Sequence, residues 1–438
     1  MPIHFKYDNM LNAKTTFIVN TVNCKKVMGK GLALQFKNAY PKMFEDYKKH
    51  DLKIGKLHIW NNHIINFPTK DDWRNPSKYE YIEDGLHELA RFLKDNPGCS
   101  FAIPPLGCSN GKLNFEKICG LYNKILYPLS LINDIYIYLP KVKTKRIPSI
   151  QNSFLSNFYN CPIIYKDLLF TSSECLYQGF KNPNELFKFV NITSKQSKKL
   201  GRTVLIQKNW DKIKSKKMYE VLKLKFDQNF DLKIKLLLTG KSFIEETNVW
   251  NDKYFGICNN EGKNRLGHLL MKLRENYCSD LKLKRYAGIG SRETPKEIQN
   301  LETKIAKKMF LKNWTLTSGN ANGSDKAFEY GANYNKEIFY SDKFIPEWCY
   351  KTVTKYLDYN SNWYSTKDYV KGLLARNMQQ ILGYDGDQKV DRVICYTENG
   401  DYKGGTRYAL RCAEDHDIKI INLGIKEDRD MMESWVND

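Results

Sequence analysis

The sequence predicts a multidomain α/β protein built from three successive blocks. Its 438 residues exceed what one core of ordinary size holds, so two to four domains are expected. Short apolar runs alternate with amphipathic stretches in the first and last thirds, and a helical period dominates the middle. Charged segments at 141–147 (KVKTKRI) and 279–284 (SDLKLK) interrupt this pattern. We therefore expect domains at residues 1–143, 148–278 and 285–438.

The composition favours a globular protein with a polyanionic partner. Hydrophobic residues make up 42% of the chain, and no apolar run approaches the roughly 20 residues that span a bilayer. The first residues lack the layout of a signal peptide, so we expect a cytoplasmic protein without membrane contact. The net charge of +21 favours nucleic acid, through phosphate contacts. The alternative is that lysine is abundant because the source genome is AT-rich. The lysines would then cover solvated faces and bind no partner.

The 11 cysteines indicate neither a disulfide framework nor a zinc ribbon. Their number is odd, they are scattered along the chain, and no CxxC pair occurs. We interpret them as reduced thiols, most of them small buried hydrophobes. No cofactor and no bound metal is expected, and the oligomeric state is left open.

Block one alternates strand-like and helix-like segments from TTFIVNTVN to DIYIYLP, which predicts a layered α/β fold around a buried sheet. Ligands of such sheets bind at the carboxyl ends of the strands. Two glycine-containing loops are expected there, at 27–31 (VMGKG) and 104–111 (PPLGCSNG). Their backbone N–H groups can surround an anion such as a diphosphate, although a single such loop is more often a tight turn.

The series NTVN (20–23), VMGKG (27–31), FPTKDDWR (67–74) and PPLGCSNG (104–111) resembles the macro domains of the DarG antitoxins, over essentially all of block one. The resemblance implies a mixed sheet between helices, ADP-ribose binding, and hydrolysis of the bond between ADP-ribose and thymine in DNA. It assigns the family's catalytic lysine, in FPTK, to Lys70 and the ribose-proximal asparagine to Asn23. The other implied ligand contacts are Asn9, Asn20, Met28, Gly29, Lys30, Gly31, Thr69, Pro105, Leu106, Gly107, Cys108, Ser109, Asn110 and Gly111. Asn9 stands where many macro domains have aspartate, and Lys112 stands where glycine is usual.

A lysine suits this chemistry in two ways. Cleavage at the anomeric carbon passes through an oxocarbenium-like state. A lysine beside that carbon can assist proton transfer to the departing base, or it can hold a ring-opened form of the sugar. The sequence does not choose between them. In isolation Lys70 would be interpreted as a surface lysine, and its place within FPTK favours the catalytic interpretation.

Block two has a helical period, as in residues 216–238, and predicts a mainly α domain. Its motifs LSNF (155–158), TSSECLYQ (171–178), NVWND (248–252) and GKNRLG (262–267) resemble the NADAR family across the block. NADAR proteins act on N-glycosidic bonds, and some remove ADP-ribose from guanine in DNA. The resemblance makes Glu174 the acid/base or cation stabiliser, with Trp210 and Asp252 lining the catalytic pocket. The other implied contacts are Asn157, Lys181, Arg202, Asn264 and Gly267.

Block two also departs from the family pattern. Cys175 stands where histidine is usual, and Phe255 stands where tryptophan is usual. Glu174 also has a structural interpretation, because TSSE (171–174) has the spacing of a capping box at a helix start. A capping role and a catalytic role are compatible.

Block three predicts a Rossmann-like parallel sheet, with strands in RYAGIGS, WTLTSG, RVICYT and IKIINLG. Glycine loops after the first two strands would present N–H groups to phosphate. The set resembles the SLOG superfamily, near its DprA-like and LOG-like branches, and members of this superfamily bind nucleotides or nucleotide-derived ligands. The implied contacts are Gly290, Ser291, Arg292, Ser318, Gly319, Asn320, Ala321, Gly323, Asp325, Arg376, Asn377, Gly404, Gly405 and Thr406. The arginine and paired glutamates of LOG-type enzymes are not evident, so we interpret this block as a binder or sensor.

These observations favour a DNA ADP-ribosyl glycohydrolase that acts on thymine adducts through block one and on guanine adducts through block two. Its expected partners are ADP-ribosylated DNA, ADP-ribose and a free nucleotide at block three. An antitoxin and a phage counter-defence factor would both fit. One alternative is a non-catalytic binder or sensor of ADP-ribose-type nucleotides. Another is a hydrolase of a free nucleotide intermediate, against which the charge of +21 argues.

Overall fold

The computed structural model describes residues 3–148, 150, 153–342, 344–358 and 363–437. The chain divides into two compact units. Unit 1 comprises residues 1–206, 216–244 and 269–282, and unit 2 comprises residues 207–215, 245–268 and 283–438.

A six-stranded mixed sheet forms the centre of the first part of unit 1. Its strands are β1 (His4–Lys6), β2 (Phe17–Asn23), β3 (His58–Trp60), β4 (Ile64–Lys70), β5 (Ser100–Ile103) and β6 (Asp134–Tyr138). They lie in the order β1-β6-β5-β2-β4-β3, and all neighbours are parallel except β3 and β4. The central strands are buried and apolar, as expected for a sheet covered on both faces.

Four helices accompany this sheet, namely α1 (Gly31–Ala39), α2 (Pro41–Tyr47), α3 (Tyr79–Asp95) and α4 (Phe115–Ile125). In α3 the residues Ile82, Leu86, Leu89 and Leu93 are fully buried. Their spacing of three and four residues places them on one face of the helix, which packs against the sheet. One apolar cluster joins the strands and the helices of this region.

Pro68 lies inside β4, where a proline needs a physical reason because it cannot donate a ladder hydrogen bond. On one side β4 pairs with β2, with Val22 opposite Pro68. On the other side β3 pairs only with residues 64–66. Pro68 therefore lies beyond the end of β3, and the register shift of β2 between Val22 and Asn23 follows directly after its partner.

Helices dominate residues 145–282. The strands are β7 (Arg146–Ile147), β8 (Asn160–Tyr165), β9 (Leu168–Ser172), β10 (Phe243–Ile244), β11 (Ile257–Cys258) and β12 (Glu261–Gly262). The helices are α5 (Ser173–Gly179), α6 (Ser194–Leu200), α7 (Trp210–Gln228), α8 (Phe230–Leu237) and α9 (Arg265–Tyr277). In unit 1, β7 pairs with β10 and β8 pairs with β9. The predicted mainly α character is confirmed.

A five-stranded parallel sheet forms the centre of unit 2. Its strands are β13 (Lys284–Gly290), β14 (Trp314–Ser318), β15 (Lys336–Ile338), β16 (Arg392–Tyr396) and β17 (Lys419–Asn422), in the order β15-β14-β13-β16-β17. The helices are α10 (Lys296–Leu311), α11 (Ser324–Gly331), α12 (Glu347–Val353), α13 (Asp368–Leu382), α14 (Thr406–Asp415) and α15 (Lys426–Asn437). Two apolar clusters pack on this sheet. The predicted multidomain α/β fold class, with its Rossmann-like parallel sheet, is confirmed.

Among the described residues, no helix combines the length and the apolar character that crossing a membrane requires.

Candidate functional site

A cavity of about 630 Å³ opens at the carboxyl ends of β2, β4 and β5 in unit 1. Three segments that the sequence analysis selected line it, namely 29–31, 69–70 and 107–111. The carboxyl edge of a parallel sheet is where helix N-termini and loops present their N–H groups. The location predicted for the ligand of block one is therefore a real concavity.

The loop at 107–111 offers backbone donors to this cavity. The N–H groups of Gly107, Ser109, Asn110 and Gly111 donate to no acceptor among the described residues. The loop itself is held by its carbonyls, since Leu113 N–H donates to the Gly107 oxygen and Ser77 N–H to the Gly111 oxygen, at 3.0 and 3.1 Å. A fixed loop with open N–H groups is a preorganised anion site.

Gly111 is required by close packing rather than by an unusual backbone angle. A Cβ atom at this position would lie 2.2 Å from the Gly107 carbonyl oxygen and 2.4 Å from Oγ of Ser77. The Gly107 carbonyl cannot retreat without breaking its hydrogen bond from Leu113 N–H, which holds the loop. Gly111 was among the ligand contacts predicted from the sequence, and the structure gives a physical reason for a glycine there.

Helix α1 begins at the same cavity. Its N-cap, Lys30, makes no side-chain cap, so the first-turn N–H groups of residues 31–33 keep the open donors of a helix N-terminus. Asn23 fixes the preceding loop, because its Oδ1 accepts hydrogen bonds from Lys25 N–H and Val27 N–H at 3.1 and 3.3 Å. Asn23 lines the cavity while its amide supports that loop.

Lys70 ends β4 and lines the same cavity. Its ammonium donates to the Asn110 carbonyl oxygen at 2.9 Å, which places it beside the open loop. Partial burial lowers the pKa of Lys70, and the neighbouring charge of Lys112 lowers it further. A lysine with a lowered pKa transfers a proton or reacts with a carbonyl carbon more readily than an ordinary one.

Cys108, within the loop, and Lys112, directly after it, differ from ordinary surface residues in thiol pKa and in backbone conformation, respectively. Burial raises the pKa of the Cys108 thiol to about 12, so it is no thiolate nucleophile at neutral pH. Lys112 has a φ of 65°, in the left-handed region that favours glycine. Its position is the one at which the sequence departs from the glycine of related macro domains.

Four of the implied contacts of block one do not line the cavity. Asn9 caps a short 3₁₀ helix by accepting from Leu11 N–H, and Asn20 is fully buried and donates to Asn66 Oδ1 at 2.8 Å. Met28 and Leu106 are buried in the apolar cluster. By contrast, Trp73 and Arg74 do line the cavity. The guanidinium carbon of Arg74 lies 4.7 Å from the centroid of the Trp73 indole ring. The sequence noted this pair only as part of the FPTKDDWR motif.

A second group of implied residues lies together in unit 1 around α5. Glu174 is buried, and Gln178 Nε2 donates to its Oε1 at 2.8 Å. Asn157 accepts a hydrogen bond from Glu174 N–H through its carbonyl oxygen, at 3.0 Å. Lys181 donates to the Gly201 oxygen at 2.8 Å. Burial lowers the pKa of Lys181. The negative charge of Glu174 raises this pKa, whereas the positive charge of Arg202 lowers it further.

The helix cap at α5 differs from the capping box that TSSE spacing predicts. Ser172 is the N-cap, and its Oγ accepts from Cys175 N–H at 3.3 Å. Thr171 instead donates its hydroxyl to the Ile192 oxygen at 2.6 Å. A capping box starting at Thr171 is therefore wrong, because the helix starts one residue later than the spacing implied.

Lys225 is a buried residue of this region that the sequence analysis did not select as a site residue. Its side chain is fully buried in unit 1 and donates to the Ser156 oxygen at 2.8 Å, next to Asn157. Burial lowers the pKa of Lys225 to about 8. The signal in the sequence was the pair Lys225 and Phe226, which belongs to the ordered set that resembles the NADAR family, although the resemblance gave Lys225 no role.

Four other residues implied by block two lie in unit 2. Trp210 begins α7 and is buried, and Gly267 lies in α9. Asp252 braces its own loop, since its Oδ1 accepts from the N–H groups of Tyr254 and Phe255 at 3.0 and 2.9 Å. Asn264 Oδ1 accepts from Glu246 N–H at 3.0 Å. These bonds make Asp252 and Asn264 loop-fixing residues, whatever else they contact.

The glycine loop after β14 in unit 2 differs from the expected phosphate cradle. Oδ2 of Asp325 accepts from Gly319 N–H at 3.0 Å and from Ala321 N–H at 3.4 Å, and Glu329 accepts from Asn320 N–H at 2.8 Å. Carboxylates of α11 therefore already occupy the N–H groups that we expected a phosphate to bind. Burial raises the pKa of Asp325 to about 6, against the effect of Arg376, whose guanidinium lies 3.5 Å away.

A cavity of about 650 Å³ nevertheless adjoins this loop. The implied residues that line it are Gly290, Ser291, Arg292, Ala321, Asp325, Arg376, Asn377, Gly404, Gly405 and Thr406. Gly319 and Asn320 line a neighbouring cleft of about 940 Å³, and Ser318 and Gly323 line neither space. Helix α14 begins at this cavity without a side-chain cap, so its first-turn N–H groups are the donors on that wall.

Comparison with known proteins gives two family matches. A macro domain profile matches residues 19–120, and a NADAR domain profile matches residues 145–277. N-glycosidase YbiA from Shigella flexneri is 31% identical over 153 residues, which cover 31% of this chain and 95% of YbiA. The chain belongs to the NADAR family. The NADAR resemblance predicted from the motifs of block two is confirmed.

The macro domain resemblance is confirmed as well. The DNA ADP-ribosyl glycohydrolase of Mycobacterium tuberculosis is 47% identical over 121 residues. The match covers 25% of this chain and 34% of that protein. The chain thus spans about a third of the length of that relative. The solved macrodomain of Mycobacterium tuberculosis DarG is 40% identical, with coverage of 32% and 99% and a TM-score of 0.28. The SLOG resemblance of block three stays a prediction.

Proposed function

We propose that this chain is a DNA ADP-ribosyl glycohydrolase with two base specificities. The cavity of the macro domain releases ADP-ribose from thymine, and the NADAR region releases it from guanine. The hydrolysis breaks the N-glycosidic bond between the anomeric carbon of the ribose and the base, and water supplies the hydroxyl group to that carbon and the proton to the base. The net charge of +21 fits DNA as the carrier of both adducts.

The observation that carries the proposal is the open loop at 107–111 beside Lys70. Four N–H donors and the N-terminus of α1 face one cavity that can accept the diphosphate of ADP-ribose. Lys70 is held against the same loop by Asn110. An anion fixed by the loop would thus bring the attached ribose within reach of an amine whose pKa is lowered.

For the NADAR region the support is the buried carboxyl group of Glu174. A carboxylate near the anomeric carbon stabilises developing positive charge and orients water. Gln178 fixes one of its oxygens, and Lys181 and Arg202 supply positive charge nearby. The relative YbiA is named an N-glycosidase, which agrees with this class of reaction.

The test is release of ADP-ribose from two oligonucleotides, one with an ADP-ribosylated thymine and one with an ADP-ribosylated guanine. We expect Lys70→Met to abolish release from thymine only and Glu174→Gln to abolish release from guanine only. Lys94→Met, on the exposed side of α3, and Glu185→Gln are the matched controls that keep both activities.

Loss of both activities in either variant would refute the division of labour between the two sites. Tight binding of ADP-ribose with both oligonucleotides left intact would refute catalysis and favour the non-catalytic binder. Sodium borohydride distinguishes the two roles of Lys70, because it traps a Schiff base between the lysine and a ring-opened ribose and leaves a proton donor unmodified.

In the cell we propose the role of an antitoxin or counter-defence factor in the cytoplasm, where modified DNA is repaired. A free nucleotide at the 650 Å³ cavity of unit 2 is a second candidate function. Arg292 and the uncapped start of α14 favour an anionic ligand there. Calorimetry with ADP-ribose and single nucleotides, comparing Arg292→Ala with the parent chain, tests this candidate; unchanged binding in the variant would exclude this cavity.

A further inference from the structure

Three potential metal ligands from separate elements converge at the edge of the six-stranded sheet. Asp46 lies in the last turn of α2, His50 follows four residues later, and His58 begins β3. One ligand atom of each lies within 4.8 Å of the other two. Nε2 of His58 is 3.1 Å from Oδ2 of Asp46, and the two imidazole rings have their centroids 4.3 Å apart.

We propose that Asp46, His50 and His58 bind a divalent transition-metal ion of the zinc class. Two imidazole nitrogens and one carboxylate oxygen suit zinc, cobalt or nickel, whereas magnesium and calcium prefer oxygen ligands alone. Ligands about 2.0 Å from a tetrahedral ion lie roughly 3.3 Å apart, so small side-chain rotations complete the site. Water would take the remaining position. The sequence predicted no metal site, since its cysteines form no CxxC pair.

The hydrogen bonds of His50 leave the correct nitrogen for an ion. Its Nδ1 lies 3.0 Å from the Asp46 carbonyl oxygen, so Nδ1 carries the proton and donates it to that oxygen. The lone pair of Nε2 is then available to a metal. The side chain of His50 is exposed, so burial in the core does not account for its position beside His58.

His58 contacts Asn66 through its other ring nitrogen. The Asn66 amide donates to Nδ1 of His58 at 3.0 Å, so Nε2 carries the ring proton and donates it to Oδ2 of Asp46 at 3.1 Å. Coordination through Nε2 therefore requires the proton to move to Nδ1 and the Asn66 amide to turn over. If Asn20 turns with it, the hydrogen bond between the two amides is kept, and the contact of the Asn66 amide with Sδ of Met43 is lost.

A metal ion here would tie the end of α2 to the edge strand β3. Tyr47, the neighbour of Asp46, donates its hydroxyl to the carbonyl oxygen of Asn23, which lines the ADP-ribose cavity. The ion would thus support the cavity from behind without contacting its ligand. The site is independent of the proposed catalytic function.

The experiment measures zinc binding by the reduced full chain without an affinity tag, by calorimetry and by metal analysis after dialysis. We expect one high-affinity ion per chain, with a higher unfolding temperature in its presence. His50→Ala, on the exposed ligand, should lose both effects and still fold. His87→Ala removes an exposed imidazole from α3 and should retain both effects.

Cobalt substitution identifies the donor atoms. Nitrogen and oxygen ligands give visible d–d bands, whereas a bound thiolate adds a charge-transfer band in the near ultraviolet. The chain has 11 free cysteines, so this distinction matters. Absence of saturable zinc binding, equal binding by His50→Ala, or a thiolate band at one equivalent would each overturn the proposal.

Discussion

Two glycine loops follow parallel strands in this chain, and they differ in what bonds to their N–H groups. In unit 1 the N–H groups of residues 107 and 109–111 have no acceptor among the described residues. In unit 2 those of residues 319–321 bond to carboxylates of Asp325 and Glu329. Both loops have the composition of an anion cradle, and only the first one leaves these N–H groups open to an external anion.

The difference shows that a glycine loop is an anion site only if the following helix brings no anion of its own. Helix α4 starts with Asn114 as its cap, whose Oδ1 accepts from Lys117 N–H and leaves the loop alone. Helix α11 places Asp325 in its first turn, six residues after Gly319, so the carboxylate turns back onto the loop. For this reason the loop of unit 1 is the one that we propose for ADP-ribose.

The largest expected effect concerns the buried acids beneath the unit 2 loop. Burial raises the pKa of Glu302 to about 8, and the charge of Asp325 contributes. Between about pH 4.5 and 8, Glu302 therefore keeps a proton in the folded state that it has released in the unfolded state. The free energy of unfolding falls as the pH rises through this window. The total is about 5 kcal/mol at most.

Glu302→Gln should remove the fall in stability above about pH 6, because glutamine stays neutral, and should leave the smaller fall below that pH that the raised pKa of Asp325 causes. Urea unfolding of the parent chain and the variant between pH 4.5 and 9 measures the difference, and Glu297→Gln on the same helix is the control. Parallel pH profiles of parent and variant would contradict a protonated Glu302.

The second effect has the opposite sign and belongs to unit 1. Burial lowers the pKa of Lys225 from 10.5 to about 8. Between these values the unfolded state binds more protons than the folded state, so stability rises with pH over this window, by about 3 kcal/mol in total.

Lys225→Met should lack that rise, whereas the exposed control Lys216→Met should show it in full. The free energy of unfolding, compared between parent and variant from pH 7 to 10.5, is the measurement. A rise of equal size in Lys225→Met would mean that another group carries it.

The third prediction tests the open loop itself. Gly111→Ala places a Cβ atom 2.2 Å from the Gly107 oxygen and must displace the loop. We expect kcat/KM for release from thymine to fall about 100-fold, since a misplacement near 1 Å costs that much in a preorganised site. Gly120→Ala, where a Cβ meets nothing within 4 Å, is the control. Unchanged turnover in Gly111→Ala would refute the role of the loop.

The smallest effect concerns Lys112, which has the left-handed backbone of a glycine and lowers the pKa of Lys70. Lys112→Gly should raise the free energy of unfolding by at most about 1 kcal/mol, because the strain is relieved while the unfolded chain gains freedom. The pKa of Lys70 should rise, which moves the basic limb of the activity profile to higher pH if Lys70 donates a proton and the acidic limb if Lys70 forms a Schiff base. Lys112→Asn separates the two causes, since it removes the charge and tolerates this backbone.

The sequence alone determined the alternation of strands and helices, the glycine loops and the FPTK and NADAR motifs, because these depend on periodicity and local residue order. Tertiary structure decided which loop amides stay open, since Asp325 and Glu329 reach theirs only through the direction of α11. Tertiary structure also decided that Lys225 is buried. It brought His58 close to Asp46 and His50, although an irregular segment separates them in the sequence. Burial and convergence of side chains depend on how elements pack, which no local pattern records.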